Sequence, residues 1–533
     1  MDHVKKRGHA KNKKIKILMS ETLKMPLNLG EVREILFSRK KVVLDSKALR
    51  SVEDAYEFLY EFSKNKVIYG INTGLGPMAQ YRVDEKDVIQ LQYNLIRSHC
   101  TGTGNILSPI QAKACLLARL YSFLQGKSGV HPSVVILLSE LINKEAVPVI
   151  YDHGGVGASG DLVQLAHVAL FMIGEGHGFY NGNKMPAKEI FALTGLQPIN
   201  IYIREGLGIM NGTSAMTGMG LINIIEAKNL LSASIAAASL INELVESFDD
   251  HFSAKLNEAK GHYGQQKIAS IMYSLLEDSK IIKKRDEHLY VERSDTFFGE
   301  KVQEYYSIRC VPQILGPIFD TIINAEKILI TELNSANDNP IVDAVSGNVY
   351  HGGNFHGDYV SLEMDKLKIA ITKLTMLAER QINYLLNSKL NEKFPPFLNM
   401  GTLGLNLGLQ ALQFTATSTT AESQTLSYPM YLHSIPNNGD NQDIVSMGMN
   451  AATLTSKVIQ NGFQVMAIQM IMLTQAFEIS GKNDGLSIFS KNIIEKLRTI
   501  YMPGKEDRTY YEDIYNMKIE ISESNIFNKY IQF

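Results

Sequence analysis

Two hydrophobic patterns divide the chain. From about Lys41 to Tyr180 the pattern is mixed. "KVVLD" and "KVIYG" read as short strands, while "SKALRSVEDAYEFLYEF" and "SPIQAKACLLARLYSFLQG" have helical apolar spacing, each opened by a serine placed to cap it. From about Leu221 onward helical spacing takes over. It predicts long helices over 221–247, 311–336, 358–387, 403–426 and 441–480. "DYVSLEMDKLKIAITKLTMLAERQINYLLN" keeps its apolar residues three and four apart over many turns. One helix cannot bury such a stripe alone, so a bundle is expected. The predicted class is mainly α, organised as a tail over 1–25, a mixed domain over 26–220 and a long helical bundle over 221–533. Polar, glycine-rich loops ("NSANDNP", "YHGGNFHGDY", "HSIPNNGDNQD") fall between the helices. Such loops at bundle ends often carry sites.

Composition narrows the function. The 533 residues carry a formal net charge of −2, which gives no pull toward nucleic acid. The basic stretch "MDHVKKRGHAKNKKIKIL" reads as a disordered tail, with no apolar stretch long enough for a signal peptide after it. The most apolar segment, "LINIIEAKNLLSASIAAASLINELVESF", contains Glu226, Lys228 and Glu243 and reads as a core helix, so no membrane partner is expected. Cys100, Cys115 and Cys310 cannot all pair and fit no metal site, which suits a reducing cytoplasm.

"GGVGASGDLVQLAH" is the most informative loop. Gly155, Gly157 and Gly160 fit G-x-G-x-x-G, between the strand-like "AVPVIYD" and a helical run. A dinucleotide fold would need further strand–helix units, and only "HGFYNG" and then helices follow. Ala158-Ser159-Gly160 offers another chemistry. In a tight bend the Gly160 nitrogen can attack the Ala158 carbonyl carbon. Loss of one water closes a five-membered ring, and loss of a second from Ser159 leaves an exocyclic methylene. Gly160 keeps the nitrogen unhindered, Ala158 is small and Ser159 supplies the hydroxyl.

This loop resembles the signature of the histidine and aromatic amino-acid ammonia-lyase family. The resemblance covers about 500 residues. "VIYGINTGLGPMAQ", "QLQYNLIRSHCTGTG", "REGLGIMNGTS", "QEYYSIRCVPQILGP", "NSANDNP", "GGNFHGDYVSLEMDKL" and "HSIPNNGDNQDIVSMG" match its motifs in order, with the nearest likeness to bacterial tyrosine ammonia-lyases. It implies the ammonia-lyase fold, a homotetramer, an amino-acid substrate and a 4-methylidene-imidazol-5-one (MIO) self-formed from Ala158-Ser159-Gly160, with no external cofactor and no metal. It also implies roles: Tyr69 as the base for the β-proton, Arg309 as the carboxylate clamp, Tyr306 and Asn211 assisting at the modified loop, Phe355 supporting the pocket. A phenol ordinarily titrates near pH 10, so Tyr69 needs help from neighbours. A guanidinium presents the fork a carboxylate needs. Gln303 stands three residues before Tyr306, and both face the substrate if the segment is helical.

Two positions bear on the substrate. Ser98-His99 matches histidine-specific members and some tyrosine-active ones. Gln442 replaces the glutamate usual in histidine-specific members. Together they order the expected substrates as tyrosine, with His99 bonding the phenol, then histidine, then phenylalanine. An aminomutase on the same scaffold would share the motifs.

Overall fold

The computed structural model describes residues 25–533 except 483 and 525. The basic tail, apart from Met25, lies outside the described residues. The most apolar stretch forms the Ser214–Leu244 helix, in which all residues but Glu226 and Lys228 are buried. A helix apolar on every side belongs inside a core. By length and composition it could cross a membrane, but 89% of its most apolar window is buried within the protein. Around it pack the Pro109–Leu124, Val311–Leu333, Asp358–Leu386 and Gly448–Ser480 helices. Gly448–Ser480 is the second axis and carries Gln410–Leu426 and Tyr511–Glu523 on its flanks. The mainly α expectation holds.

The helices expected from 311 and 358 begin there, and the other three long helices differ from expectation at their starts. The helix expected from 221 begins at Ser214, so the domain boundary expected at 220 falls inside it. The helix expected from 403 begins at Gln410, because Asp507 takes the Leu407 and Gly408 N–H groups at 2.8 and 3.0 Å. The one expected from 441 begins at Gly448. Upstream, Asn437 and Gln442 pair with each other and Met447 N–H goes to Val156 O at 2.9 Å. In both places the amides have better partners than helix carbonyls.

Two expected strands do not form. Within "KVVLD" the backbone N–H and C=O of Val42 are taken by the Asn143 amide at 2.7 and 2.8 Å instead of by a strand. "KVIYG" runs into turns, with Ile68 N–H on Asn72 Oδ1 at 3.0 Å. Asp45, not Ser46, caps the Ser46–Phe62 helix, whereas Ser108 caps Pro109–Leu124 in a capping box with Gln111. The "AVPVIYD" run splits. Val147–Pro148 joins the His177–Tyr180 and Asn183–Pro186 hairpin, and Tyr151–His153 pairs with Thr103–Ile106. Every sheet among the described residues is small and antiparallel. That architecture excludes the doubly wound fold a dinucleotide turn requires.

Gly218 lets the Ser214–Leu244 helix lie against the backbone of Pro109–Leu124. A Cβ there would lie 2.6 Å from the Ala114 carbonyl carbon and the Cys115 nitrogen, both backbone. Gly218→Ala should therefore destabilise the protein by about 1–3 kcal/mol despite alanine's better helix propensity. Thermal unfolding at a fixed scan rate should show a lowered midpoint. An unchanged or raised midpoint would mean that the two helices separate freely at this point.

Candidate active site

The Ala158-Ser159-Gly160 segment follows the Tyr151–His153 strand and precedes the Leu162–Met172 helix. Ala158 is buried, Ser159 half-buried. Gly160 has φ +74°, and a Cβ on it would lie 2.0 Å from Gly212 O, so only glycine fits the bend. Among the described residues nothing accepts the Gly160 N–H, which leaves that nitrogen uncommitted.

Partners surround the loop on three sides. Asp161 N–H donates to Gly212 O at 2.8 Å. The Asp161 carboxylate accepts the Met216 N–H at 2.8 Å, at the start of the Ser214–Leu244 helix. Full burial pushes this carboxyl up to about 7, against the pull of the helix amides. Asn211 Nδ2 donates to Ser159 O at 3.2 Å, and Asn211 Oδ1 accepts Asn339 N–H at 2.7 Å. That second bond fixes which end of the amide faces the loop. Ser446 Oγ donates to Gly157 O at 2.9 Å, and Gly357 N–H reaches the same oxygen at 3.3 Å. Phe355, half-buried, lies two residues before Gly357.

Gln442 Nε2 donates to the Ser159 hydroxyl at 2.9 Å. The residue expected at the substrate thus stands beside the Ser159 hydroxyl. The hairpin that carries it, closed by the Asn437–Gln442 pairing, touches a second element at its tip. A Cβ on Gly76 would lie 2.6 Å from Asn438 Nδ2. Gly76 N–H in turn donates to Tyr69 Oη at 3.1 Å. One hairpin thus links Ser159 to the turn bearing Tyr69.

His99 is the last residue of the Val88–His99 helix, which packs on Leu162–Met172 just after the loop. Its Nδ1 lies 3.0 Å from Leu95 O and 3.1 Å from Ser98 Oγ; with the proton on Nδ1 the ring donates to Leu95 O and Nε2 is an acceptor.

Gln303, Tyr306 and Arg309 stand elsewhere. They line a cleft of about 600 Å³ together with Arg380 and Tyr384. Tyr306 is 70% exposed. Among the described residues no hydrogen bond joins them to the loop. Arg309 donates to Glu304 O at 2.8 Å and lies over the Tyr306 ring, 4.7 Å from its centroid. The expected helical stripe is cut short, because the helix runs only from Tyr306 to Arg309 and Gln303 sits in a bend before it.

Two participants were missed from sequence. Asp161 follows the tripeptide directly, but nothing in the sequence shows that its carboxyl docks a helix 55 positions away. Asn339 acts through its backbone N–H, which leaves no side-chain signal.

Residues 27–499 match the family described as aromatic amino acid lyase. A histidine ammonia-lyase of Geobacillus thermodenitrificans is 36% identical over 489 residues, which cover 92% of this chain and 94% of that protein. An MIO-dependent tyrosine 2,3-aminomutase of Streptomyces globisporus is 34% identical over 501 residues, 92% of each chain. The crystal structure of the tyrosine aminomutase from that organism matches with a TM-score of 0.90 at 33% identity, over 95% of this chain and 97% of that one. With the glycine-bent Ala-Ser-Gly loop at its centre, the chain belongs to the aromatic amino acid lyase family and is a carbon–nitrogen lyase.

Proposed function

We propose that the protein removes ammonia from L-tyrosine without oxidation, giving p-coumarate, at an MIO group that it forms from Ala158, Ser159 and Gly160. The observation that supports this most is the pair of amides on Ser159. In ring closure the Gly160 nitrogen bonds to the Ala158 carbonyl carbon, and the Ala158 oxygen leaves as water. The Ser159 hydroxyl then leaves with the Ser159 α-hydrogen as a second water. Gln442 donates to that departing hydroxyl. Asn211 donates to the Ser159 carbonyl oxygen, which ends conjugated to the new methylene and draws electrons from it. Burial of Ala158 and the bend at Gly160 fit the ring.

The group supplies an electrophilic carbon that takes up the substrate amine and makes it a better leaving group. The chain's residues do the rest in this reading. Tyr69 removes the β-proton, Arg309 grips the carboxylate as a fork, and His99 Nε2 accepts the phenol O–H. Since Tyr306 and Arg309 lie apart from the loop in one protomer, a second copy must bring them to it. The exposed Tyr359, Phe414, Tyr511 and Tyr515 on the bundle helices offer apolar surface for a homotetramer. The three unpaired cysteines suit the cytoplasm. Histidine is the second reading, favoured by the 36% identical histidine ammonia-lyase, since an imidazole N–H can also donate to His99. The 34% identical aminomutase keeps open a product with the amine returned at the β-carbon.

Three outcomes are expected. Intact-protein mass should fall about 36 Da below the sequence mass, two waters lost to a backbone modification; Ser159→Ala should show no such loss of mass and almost no activity. An unmodified wild-type mass would end the MIO reading. Tyr69→Phe should lower kcat by on the order of 10²–10⁴ while tyrosine still binds; near-normal turnover would remove Tyr69 as the base.

The third concerns substrate choice, measured as kcat/KM for tyrosine, phenylalanine and histidine with products resolved. Tyrosine should lead, because a site built to bond a hydroxyl rejects the analogue without it. His99→Phe should shift preference toward phenylalanine. Faster formation of urocanate than of p-coumarate by the wild type would make histidine the substrate. A β-amino acid as main product would make the protein a mutase.

A further inference from the structure

Tyr306 and Arg309 share a helix of four residues. So short a helix does not hold itself. It stops at Cys310, and the next helix, Val311–Leu333, has Pro312 in its first turn. Pro312 has no N–H, so Ile308 O lacks the donor that a continuing helix would supply. Two amides from the bundle core take over. Asn242 Nδ2 donates to Ile308 O at 3.2 Å, and Gln381 Nε2 donates to Ser307 O at 2.8 Å.

Both amides are themselves fixed. Asn242 Oδ1 accepts from Ser247 Oγ at 2.7 Å, and its Nδ2 also reaches Ala238 O at 2.8 Å. Gln381 Oε1 accepts from Gln469 Nε2 at 2.6 Å. Asn242, Gln381 and Gln469 are at most 1% exposed. Leucine or methionine would fill those places at no polar cost. A buried amide is tolerated only where its bonds are made, and here the bonds end on the turn. Among the described residues, the Arg309 side chain has one hydrogen bond of its own, to the Glu304 carbonyl, and lies over the Tyr306 ring.

We propose that Gln381 and Asn242 are positioning residues for the substrate carboxylate: they pin the two orphan carbonyls of the Tyr306–Arg309 turn and so set where the Arg309 guanidinium stands. The inference rests on the reading of Arg309 as the carboxylate clamp. It assigns a binding role to two core residues with no contact to the MIO loop.

The test is a double-mutant cycle on KM for tyrosine, with the mass loss at the loop as an independent check of the rest of the site. Arg309→Lys alone should raise KM. Gln381→Met should raise KM roughly tenfold, with kcat within about threefold and the mass loss intact, as expected for one lost buried hydrogen bond. In the Arg309→Lys background the same change should add less than about twofold, because it acts through a fork that is already gone. Should Gln381→Met fail to fold, Gln469→Met reads the same linkage one step back and should raise KM by roughly threefold, again only with Arg309 present. If Gln381→Met or its substitute leaves KM unchanged, or adds its full factor to Arg309→Lys, the positioning role is wrong and the clamp stands. If Arg309→Lys itself leaves KM unchanged, the clamp reading falls and this inference falls with it.

Discussion

The Asp161 carboxyl meets the first turn of the Ser214–Leu244 helix in a fully buried place, and the loop's geometry follows from that contact. Helix N-termini carry unsatisfied N–H groups and a partial positive charge, so a carboxylate is a natural stop for them. Here the carboxylate comes from another segment, directly after the reactive tripeptide. The same residue's N–H goes to Gly212 O. Ala158 to Gly160 are thereby tied to a helix that is buried at all but two of its residues. A reactive bend needs a frame that does not yield, and the core helix is that frame.

A second buried layer stands behind Asn211. Arg119 and Arg204 are wholly buried on either side of Asp338, at 3.7 and 3.4 Å, ion pairs longer than hydrogen bonds. Burial lowers the Arg119 guanidinium to about 10, still charged at neutral pH. Such ions are expensive to desolvate, and an apolar cluster would pack as well. Their hydrogen bonds go elsewhere. Arg119 donates to Gly208 O and Asn337 Oδ1, and Arg204 donates to Asn339 O. Arg119 holds the Asn337 side chain, Arg204 holds the backbone at 339 and 340, and the Asn339 N–H orients Asn211. Stability alone does not explain them; the orientation of one amide at Ser159 does.

Helix content and the reactive tripeptide were legible from sequence because periodicity and local chemistry are written in adjacent residues. Ser108 announced its cap in the same way. What failed depended on distant partners. Val42 is extended without a ladder because Asn143, about a hundred positions away, supplies both bonds. Gln303, Tyr306 and Arg309 have helical spacing, yet the helix begins only at Tyr306. Gln442 was not legible as a donor to the Ser159 hydroxyl, because motif position carries no direction. Its direction comes from a hairpin whose tip residues Asn438 and Asp440 take left-handed φ of +58° and +60°, which a period-based reading cannot see.

These layers divide the site by rigidity. The loop and Asn211 are held by buried groups, whereas Gln442 rides on an exposed hairpin. His99 sits at a helix end, with one ring nitrogen committed to its own backbone and the other left for whatever arrives. Relatives similar along nearly the whole chain carry names for histidine and for tyrosine chemistry. In the reading proposed above, a frame fixed by Asp161 and the core helix holds the amine end, and His99, at the end of the helix of residues 88–99, meets the ring end. On that reading a change of substrate asks least of the buried frame, and divergence should collect where the helix of residues 88–99 stops.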